Sequence, residues 1–114
     1  MKLAEVKDVL NCTVLAGADG LSAEVELVVA SDGMSEILAF ARPGALMLTG
    51  LTNVQSVRTA DIANARAIVY LRGKRPDDKA LNLALKQGIP VLATKVGMFN
   101  ACGILRERGL KGDM

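Results

Sequence analysis

Three copies of one pattern, a short apolar segment followed by an amphipathic one, make up the second part of this chain. The apolar segments are residues 45–49, 67–71 and 89–93. The amphipathic segments that follow them are residues 54–64, 77–87 and 96–108. The first set has the length of buried strands, and the second carries apolar residues at helical spacing. Because parallel strands need a long crossover connection, the pattern predicts right-handed βαβ units around a parallel core sheet.

The first 44 residues predict further elements at one edge of that sheet. These elements are a helix over residues 3–10, strands over 12–15 and 24–30, and a helix over 34–41. Asn11 is the expected left-handed stop of the first helix, and Ser31 or Asp32 the expected cap of the second. We expect a hairpin-like connection between the two strands, and fraying from Gly109 onward. The prediction is a single α/β domain over residues 1–114, a three-layer α/β/α sandwich with a mixed, mostly parallel sheet.

The 114-residue chain contains no histidine, and this absence excludes several kinds of catalysis. Without an imidazole there is no Ser-His-Asp triad, no Cys-His pair and no histidine proton shuttle. The two cysteines, Cys12 and Cys102, lie far apart and form no CxxC motif, so zinc would have a poor set of ligands. We therefore predict no catalytic residue, no metal site and no cofactor, and we expect both thiols to be buried and inert.

The charge balance and the scarcity of aromatic residues limit the partners that this chain can bind. With 14 basic and 12 acidic side chains the net charge is +2, which is not the basic surface of a duplex-binding protein. Aromatic residues make up 3% of the chain and offer few platforms for stacking bases. No apolar run is long enough to span a bilayer, and the N-terminus becomes acidic too early for a signal peptide. We predict a cytoplasmic protein with reduced cysteines and with no nucleic-acid or membrane partner.

Polar residues and glycines follow the predicted strands of the core sheet. In an open parallel sheet, ligands bind beyond the carboxyl ends of the strands, where helix N-termini offer N–H groups to an anion. The residues at these ends form the candidate ligand site: Asp32, Thr49, Gly50, Thr52, Arg72, Gly73, Lys74, Thr94 and Lys95. Arg75 adds another cation, so a phosphate or nucleotide is the expected ligand class. The alternative is that these residues only form turns and helix caps, for which their types are equally suited.

Three stretches of the chain resemble the DRTGG domain family, and they are residues 31–40, 46–53 and 68–73. The second resembles the loop that holds the family's Asp-Arg pair, and the third resembles the strand that ends in its Thr-Gly-Gly. Gly50 and Gly73 match the motif. The positions that depart from it are Leu51 and Thr52, in place of Asp and Arg, and Arg72 and Lys74, in place of Thr and the second Gly.

The resemblance implies a small regulatory domain of the kind found in some phosphotransacetylases and in CBS-containing pyrophosphatases. It also implies a fold related to the N-terminal domains of HPr kinase/phosphorylase and of Mur ligases, and a homodimer by analogy with related domains. We expect a stand-alone regulatory domain that binds a small anionic ligand, such as a nucleotide. The alternatives are a protein-interaction module without a ligand and, least favoured, a phosphotransfer enzyme that uses Asp32 or Lys95.

Overall fold

The computed structural model describes residues 1–112, which form six strands and five α-helices. The strands are β1 (Thr13–Ala16), β2 (Leu27–Ala30), β3 (Leu46–Thr49), β4 (Ala67–Tyr70), β5 (Val91–Ala93) and β6 (Lys111–Gly112). The helices are α1 (Leu3–Val9), α2 (Met34–Phe40), α3 (Val54–Ile62), α4 (Asp78–Gln87) and α5 (Met98–Glu107). The strands and helices predicted from the repeat all occur, each within two residues of its predicted ends.

The strands form one mixed sheet in the order β1-β5-β4-β3-β2-β6. β1 runs antiparallel to β5, and the other neighbouring pairs are parallel. The central strands β3 and β4 pair along their whole length, with Leu46 opposite Ala67 and Thr49 opposite Tyr70. Both strands are fully buried, as expected for the middle of a parallel sheet that is covered on both faces. The predicted mixed, mostly parallel sheet is confirmed.

Helices cover the two faces of the sheet unequally. On one face α1 and α5 pack through Leu3, Val6 and Leu105 against strand residues such as Leu48. On the other face α2, α3 and α4 pack through the buried residues Ile37, Val57, Ala60, Ala80 and Ala84. Side chains alternate along β3, because Leu46 and Leu48 face the first layer and Met47 faces the second. The arrangement confirms the predicted three-layer α/β/α sandwich, with two helices on one side and three on the other.

The predicted hairpin between the first two strands is wrong. β1 lies beside β5 at one edge of the sheet, whereas β2 lies beside β3 and β6 near the other edge. The connection between them crosses the start of α1 instead of turning back. Leu3 donates a backbone hydrogen bond to Ala23, Ala4 donates one to Leu21, and Val25 donates one to Met1. These long-range bonds satisfy the backbone of the connection, and the first 44 residues therefore extend both sides of the sheet rather than one edge.

The fraying expected from Gly109 onward is not found in residues 109–112, because Leu110 is buried and β6 pairs in parallel with β2. The rest of that expectation falls on residues 113–114, outside the described residues. Two large apolar residues of the amphipathic segments 54–64 and 96–108, Ile62 and Phe99, do not face the core and are 69% and 89% exposed. Ile62 is the last residue of α3 and Phe99 the second of α5, so neither has helical turns on both sides to pack it against the sheet.

Candidate functional site

The four parallel strands β2, β3, β4 and β5 point the same way, so their carboxyl ends lie side by side at one end of the strands, as predicted. The register places Ala30 beside Leu48, Leu48 beside Val69, and Val69 beside Leu92. The loops that follow these strands therefore lie next to one another. We call them together the strand-end rim, which comprises residues 31–33, 49–53, 71–75 and 94–97. All nine candidate residues lie on the rim.

Asp32 joins the loops after β2, β3 and β4. Its Oδ1 accepts hydrogen bonds from the Gly50 amide at 2.6 Å and from the Thr49 hydroxyl at 3.1 Å. Its Oδ2 lies 3.6 Å from Nη2 of Arg72. The prediction that Ser31 or Asp32 caps α2 is wrong, because the N-cap is Gly33 and no side chain caps that helix. The Asp32 carboxylate instead accepts hydrogen bonds from the Thr49 hydroxyl and the Gly50 amide at the end of β3.

Arg72 crosses the rim from a turn in the left-handed region. Arg72 and Gly73 have φ angles of 59° and 74°. Their amides donate to the carbonyls of Val96 and Thr94, at 3.0 and 2.9 Å, so the β4 loop is fixed to the β5 loop. The guanidinium lies where a Cβ at Gly50 would be, so a side chain at Gly50 would have to displace it. Gly50 therefore allows Arg72 to reach Asp32 over the end of β3.

The two buried threonines of the rim hold the backbone in shape. Thr49 and Thr94 are 0% and 3% exposed. Thr49 accepts a bond from the Leu51 amide and donates to Asp32. Thr94 accepts a bond from the Val96 amide and donates to the carbonyl of Leu10. Both hydroxyls already have a donor and an acceptor inside the protein, as expected if these threonines only form turns.

The caps of the helices that begin near the rim differ. Asn53 caps α3 by accepting a bond from the Gln55 amide, and Asp77 caps α4 by accepting one from the Ala80 amide. The Asp77 amide donates to the carbonyl of Thr52, which places Thr52 in the backbone framework. The N-cap of α5 is Gly97, which makes no side-chain bond to the helix. The amides in the first turn of α5 therefore receive no side-chain hydrogen bond from the N-cap residue.

A cavity of about 310 Å³ opens on the rim between the end of α1, the start of β1 and the loop after β5. Its lining consists of Leu10, Asn11, Cys12, Thr13, Gly73, Arg75, Ala93, Thr94, Lys95 and Val96. We call it the rim cavity. Its lining contains the exposed cations Arg75 and Lys95 and no carboxylate. Of the nine candidate residues it includes Gly73, Thr94 and Lys95.

The other candidates form a separate group beside the rim cavity. Asp32, Thr49, Gly50 and Arg72 are joined by the contacts of the Asp32 carboxylate, while Thr52 and the exposed Lys74 lie on the flanking loops. Sequence reasoning missed the part of the lining that comes from residues 10–13, because the predicted hairpin put β1 beside β2 rather than beside β5. A polar residue directly after α1, such as Asn11, was the only signal available.

A larger cavity of about 570 Å³ lies at the other end of the strands, where β3, β4 and β5 begin. Its charged lining residues are Asp61 and Arg66, whose opposite charges offset one another. The rim cavity is smaller, but its two charged lining residues, Arg75 and Lys95, are both cations. It is therefore the better candidate for an anion.

The two cysteines are half-buried rather than fully buried. Burial raises the pKa of Cys12 to about 11, although the nearby Lys7 lowers it in part. Burial also raises the pKa of Cys102. Both thiols stay protonated at neutral pH, which is the unreactive form. Among residues 1–112, no cluster of three or more His, Cys, Asp and Glu side chains could hold a metal ion.

Comparison with known families now identifies the fold. The sequence model of the DRTGG domain matches residues 5–107, which is nearly the whole chain. The chain belongs to the DRTGG domain family. The resemblance noted in residues 46–53 and 68–73 is thereby confirmed. None of the curated proteins matches the chain, and no helix within residues 1–112 is long and apolar enough to cross a membrane.

The chain is also similar to a solved structure, that of the CBS and DRTGG domains of the regulatory region of Clostridium perfringens pyrophosphatase. That structure is a complex with an activator, diadenosine tetraphosphate. The TM-score is 0.73 at 17% sequence identity, over 91% of this chain and 45% of the other. The chain thus spans less than half the length of that regulatory region. At this identity the likeness shows that the DRTGG domain has the same fold in both proteins.

Proposed function

We propose that this DRTGG domain is regulatory and binds a small anionic ligand, such as a nucleotide or a phosphorylated metabolite, in the rim cavity. The observation that carries the proposal is the one-sided charge of that cavity. Arg75 and Lys95 line it without a carboxylate, and Lys74 adds charge nearby. No ion pair found within residues 1–112 neutralises any of these three cations.

The backbone next to the cavity supports the same ligand class. α5 begins at Met98, immediately after the cavity residues Lys95 and Val96, and its N-cap Gly97 leaves the first turn without a side-chain acceptor. Amides in the first turn of a helix favour an anion, and the first residue of α5, Met98, is two residues along the chain from the cavity residue Val96. The rim turn is also rigid, because Arg72 and Gly73 are bonded to the β5 loop. The site is therefore formed before a ligand arrives, which lowers the entropic cost of binding.

The size of the cavity limits the ligand. At about 310 Å³ it lies at the lower end of typical ligand pockets, so a phosphate group with a small attached moiety fits better than a dinucleotide enclosed on all sides. The solved relative is complexed with a nucleotide activator, diadenosine tetraphosphate. Nucleotides are for this reason the first class to be tested on this chain.

A catalytic role has less support than a binding role. The phosphotransfer alternative needs Asp32 or Lys95 as a reacting group. The Asp32 carboxylate already accepts two hydrogen bonds and faces Arg72, so it is held as a structural anion. The chain has no histidine, and both thiols are protonated at neutral pH. We propose that the domain binds its ligand without turnover, and incubation with ATP and Mg²⁺ should therefore release no phosphate or ADP.

The binding proposal is tested by calorimetry with a panel of nucleotides, phosphorylated metabolites and inorganic phosphate. We expect at least one member to bind at submillimolar concentration, and Arg75→Ala and Lys95→Ala each to weaken it about 10-fold or more. Lys86→Ala is the matched control, because Lys86 is an exposed cation in the last turn of α4, away from the rim. Binding should also weaken as salt is raised. Failure of the whole panel at millimolar concentration, or equal binding by all three variants, would contradict the proposal.

A further inference from the structure

Arg72 is a cation of the strand-end rim that does not line the rim cavity, although its backbone lies next to it. The following residue, Gly73, is part of the lining, and the Arg72 amide donates to the carbonyl of Val96, another lining residue, at 3.0 Å. The side chain extends away from the cavity toward the loop after β2, where its Nη2 lies 3.6 Å from Oδ2 of Asp32. A charge that would strengthen the attraction of the cavity for an anion is therefore held outside it.

The contact between Arg72 and Asp32 is a weak ion pair. At 3.6 Å the two atoms are beyond hydrogen-bond distance, and the two side chains are 54% and 51% exposed. Water and salt screen such a pair, so it contributes little to stability. The other oxygen of Asp32 accepts hydrogen bonds from the Thr49 hydroxyl and the Gly50 amide, and neither bond involves Arg72. The guanidinium can therefore leave Asp32 while the loop after β2 stays joined to the end of β3.

Two glycines border the Arg72 side chain and leave it room to turn. A Cβ at Gly97, the N-cap of α5, would have the Arg72 Cγ as its nearest atom, at 3.9 Å. A Cβ at Gly50 would overlap the guanidinium itself. The side chain thus begins beside the start of α5 and ends over the end of β3. Because the bond to Val96 fixes the backbone, only side-chain torsions have to change for the guanidinium to turn toward the rim cavity.

We propose that Asp32 and the bound anion compete for Arg72, so that Arg72 is a third cation of the ligand site and its pair with Asp32 is the resting state. This inference rests on the proposed function, because it needs an anion beside Arg75 and Lys95. A phosphate group accepts two parallel N–H bonds from a guanidinium, whereas the contact to Asp32 provides none. The exchange is therefore favourable for a phosphate, and Asp32 sets how much of the Arg72 charge is available to it.

The exchange is tested by NMR titration of the full chain with inorganic phosphate and with ADP at low salt. Asp32→Asn keeps an oxygen that can accept hydrogen bonds but removes the charge that holds Arg72. We expect this variant to bind about 2–5-fold more tightly than the wild type, and Arg72→Gln to bind about 10-fold less tightly. Glu36→Gln is the matched control and should bind like the wild type. Glu36 is an exposed carboxylate near the Ser31 hydroxyl, beside Asp32 in the chain, and it does not pair with Arg72.

Gly50→Ala tests the same exchange without changing a charge. Its methyl group would occupy the place of the guanidinium, which lies at the end of a flexible side chain and can move aside. Gly50 is not among the glycines with a positive φ angle, so alanine fits its backbone. We expect this variant also to bind about 2–5-fold more tightly. In an Arg72→Gln background, neither Gly50→Ala nor Asp32→Asn should change binding, since there is no guanidinium to release.

Failure of the exchange and failure of the proposed function give different results. If neither phosphate nor ADP binds the wild type at millimolar concentration, the proposed function is contradicted and the exchange with it. If both bind through Arg75 and Lys95, but Asp32→Asn and Gly50→Ala bind no more tightly than the wild type, only the exchange is overturned. Tighter binding that persists in the Arg72→Gln background also overturns it. A purely structural pair would make Asp32→Asn both less stable and a weaker binder, whereas we expect a less stable fold that binds more tightly.

Discussion

Replacing Asp32 by alanine should destabilise the domain through the rim rather than through the core. The substitution removes the acceptor of the Gly50 amide and of the Thr49 hydroxyl, and it removes the partner of Arg72. A hydrogen bond to a charged group contributes about 1.5–3 kcal/mol when well shielded. The Asp32 side chain is 51% exposed, so the lower end applies, and the exposed ion pair adds about 0–1 kcal/mol. Because Thr49 is 0% exposed and loses its acceptor, both hydrogen bonds count, and we expect a total loss of about 3–4 kcal/mol in the free energy of unfolding.

Asp32→Asn separates the hydrogen bonds from the charge. An amide oxygen can still accept from Thr49 and Gly50, but it cannot pair with the Arg72 guanidinium. We expect this variant to lose only about 1 kcal/mol. Urea unfolding followed by circular dichroism gives both values, with an unchanged slope if only the native state is affected. The reasoning is refuted if Asp32→Ala loses less than about 0.5 kcal/mol, or if the asparagine and alanine variants are equally unstable.

Two other predictions concern the half-buried Cys12 thiol and the buried Ser56–Tyr70 pair. In a Cys102→Ser background, alkylation of Cys12 should follow a midpoint near pH 11 in the folded chain, and a midpoint near 9, the unperturbed thiol value, would contradict this. The Ser56 hydroxyl and the Tyr70 phenol lie 2.7 Å apart and are buried, and Ser56 also bonds the Asn53 carbonyl. Ser56→Ala should therefore lower the free energy of unfolding, measured in urea, by about 1–3 kcal/mol. Tyr70→Phe should lower it less, because Ser56 keeps its bond to the Asn53 carbonyl. A larger loss for Tyr70→Phe than for Ser56→Ala would contradict this reasoning.

The second part of the fold could be predicted because local pattern and tertiary role agree there. Each apolar run between residues 45 and 93 is buried on both faces, and each helix after it has one apolar side. The meeting of the strand ends followed from parallel pairing alone.

The positions of β1 and β6 depend on contacts that no local pattern reports. Residues 17–26 are held by backbone bonds to the start of α1, more than fifteen residues earlier in the chain. β6 consists of Lys111 and Gly112, which have no strand-like pattern and are held by pairing to β2. Part of the lining of the rim cavity was missed for the same reason, because residues 10–13 line it only when β1 lies beside β5. The role of Asp32 was missed since an aspartate before a helix is ordinarily read as its cap.

The location of the bound anion is the most direct test of the account. An NMR titration of the ¹⁵N-labelled chain, with inorganic phosphate and with the tightest nucleotide of the panel, reports each backbone amide separately. We predict the largest shifts at Gly73, Lys95 and Val96 and in the first turn of α5. Shifts concentrated around Arg66, at the amino ends of the strands, or no shifts at millimolar ligand, would contradict the assignment of the rim cavity.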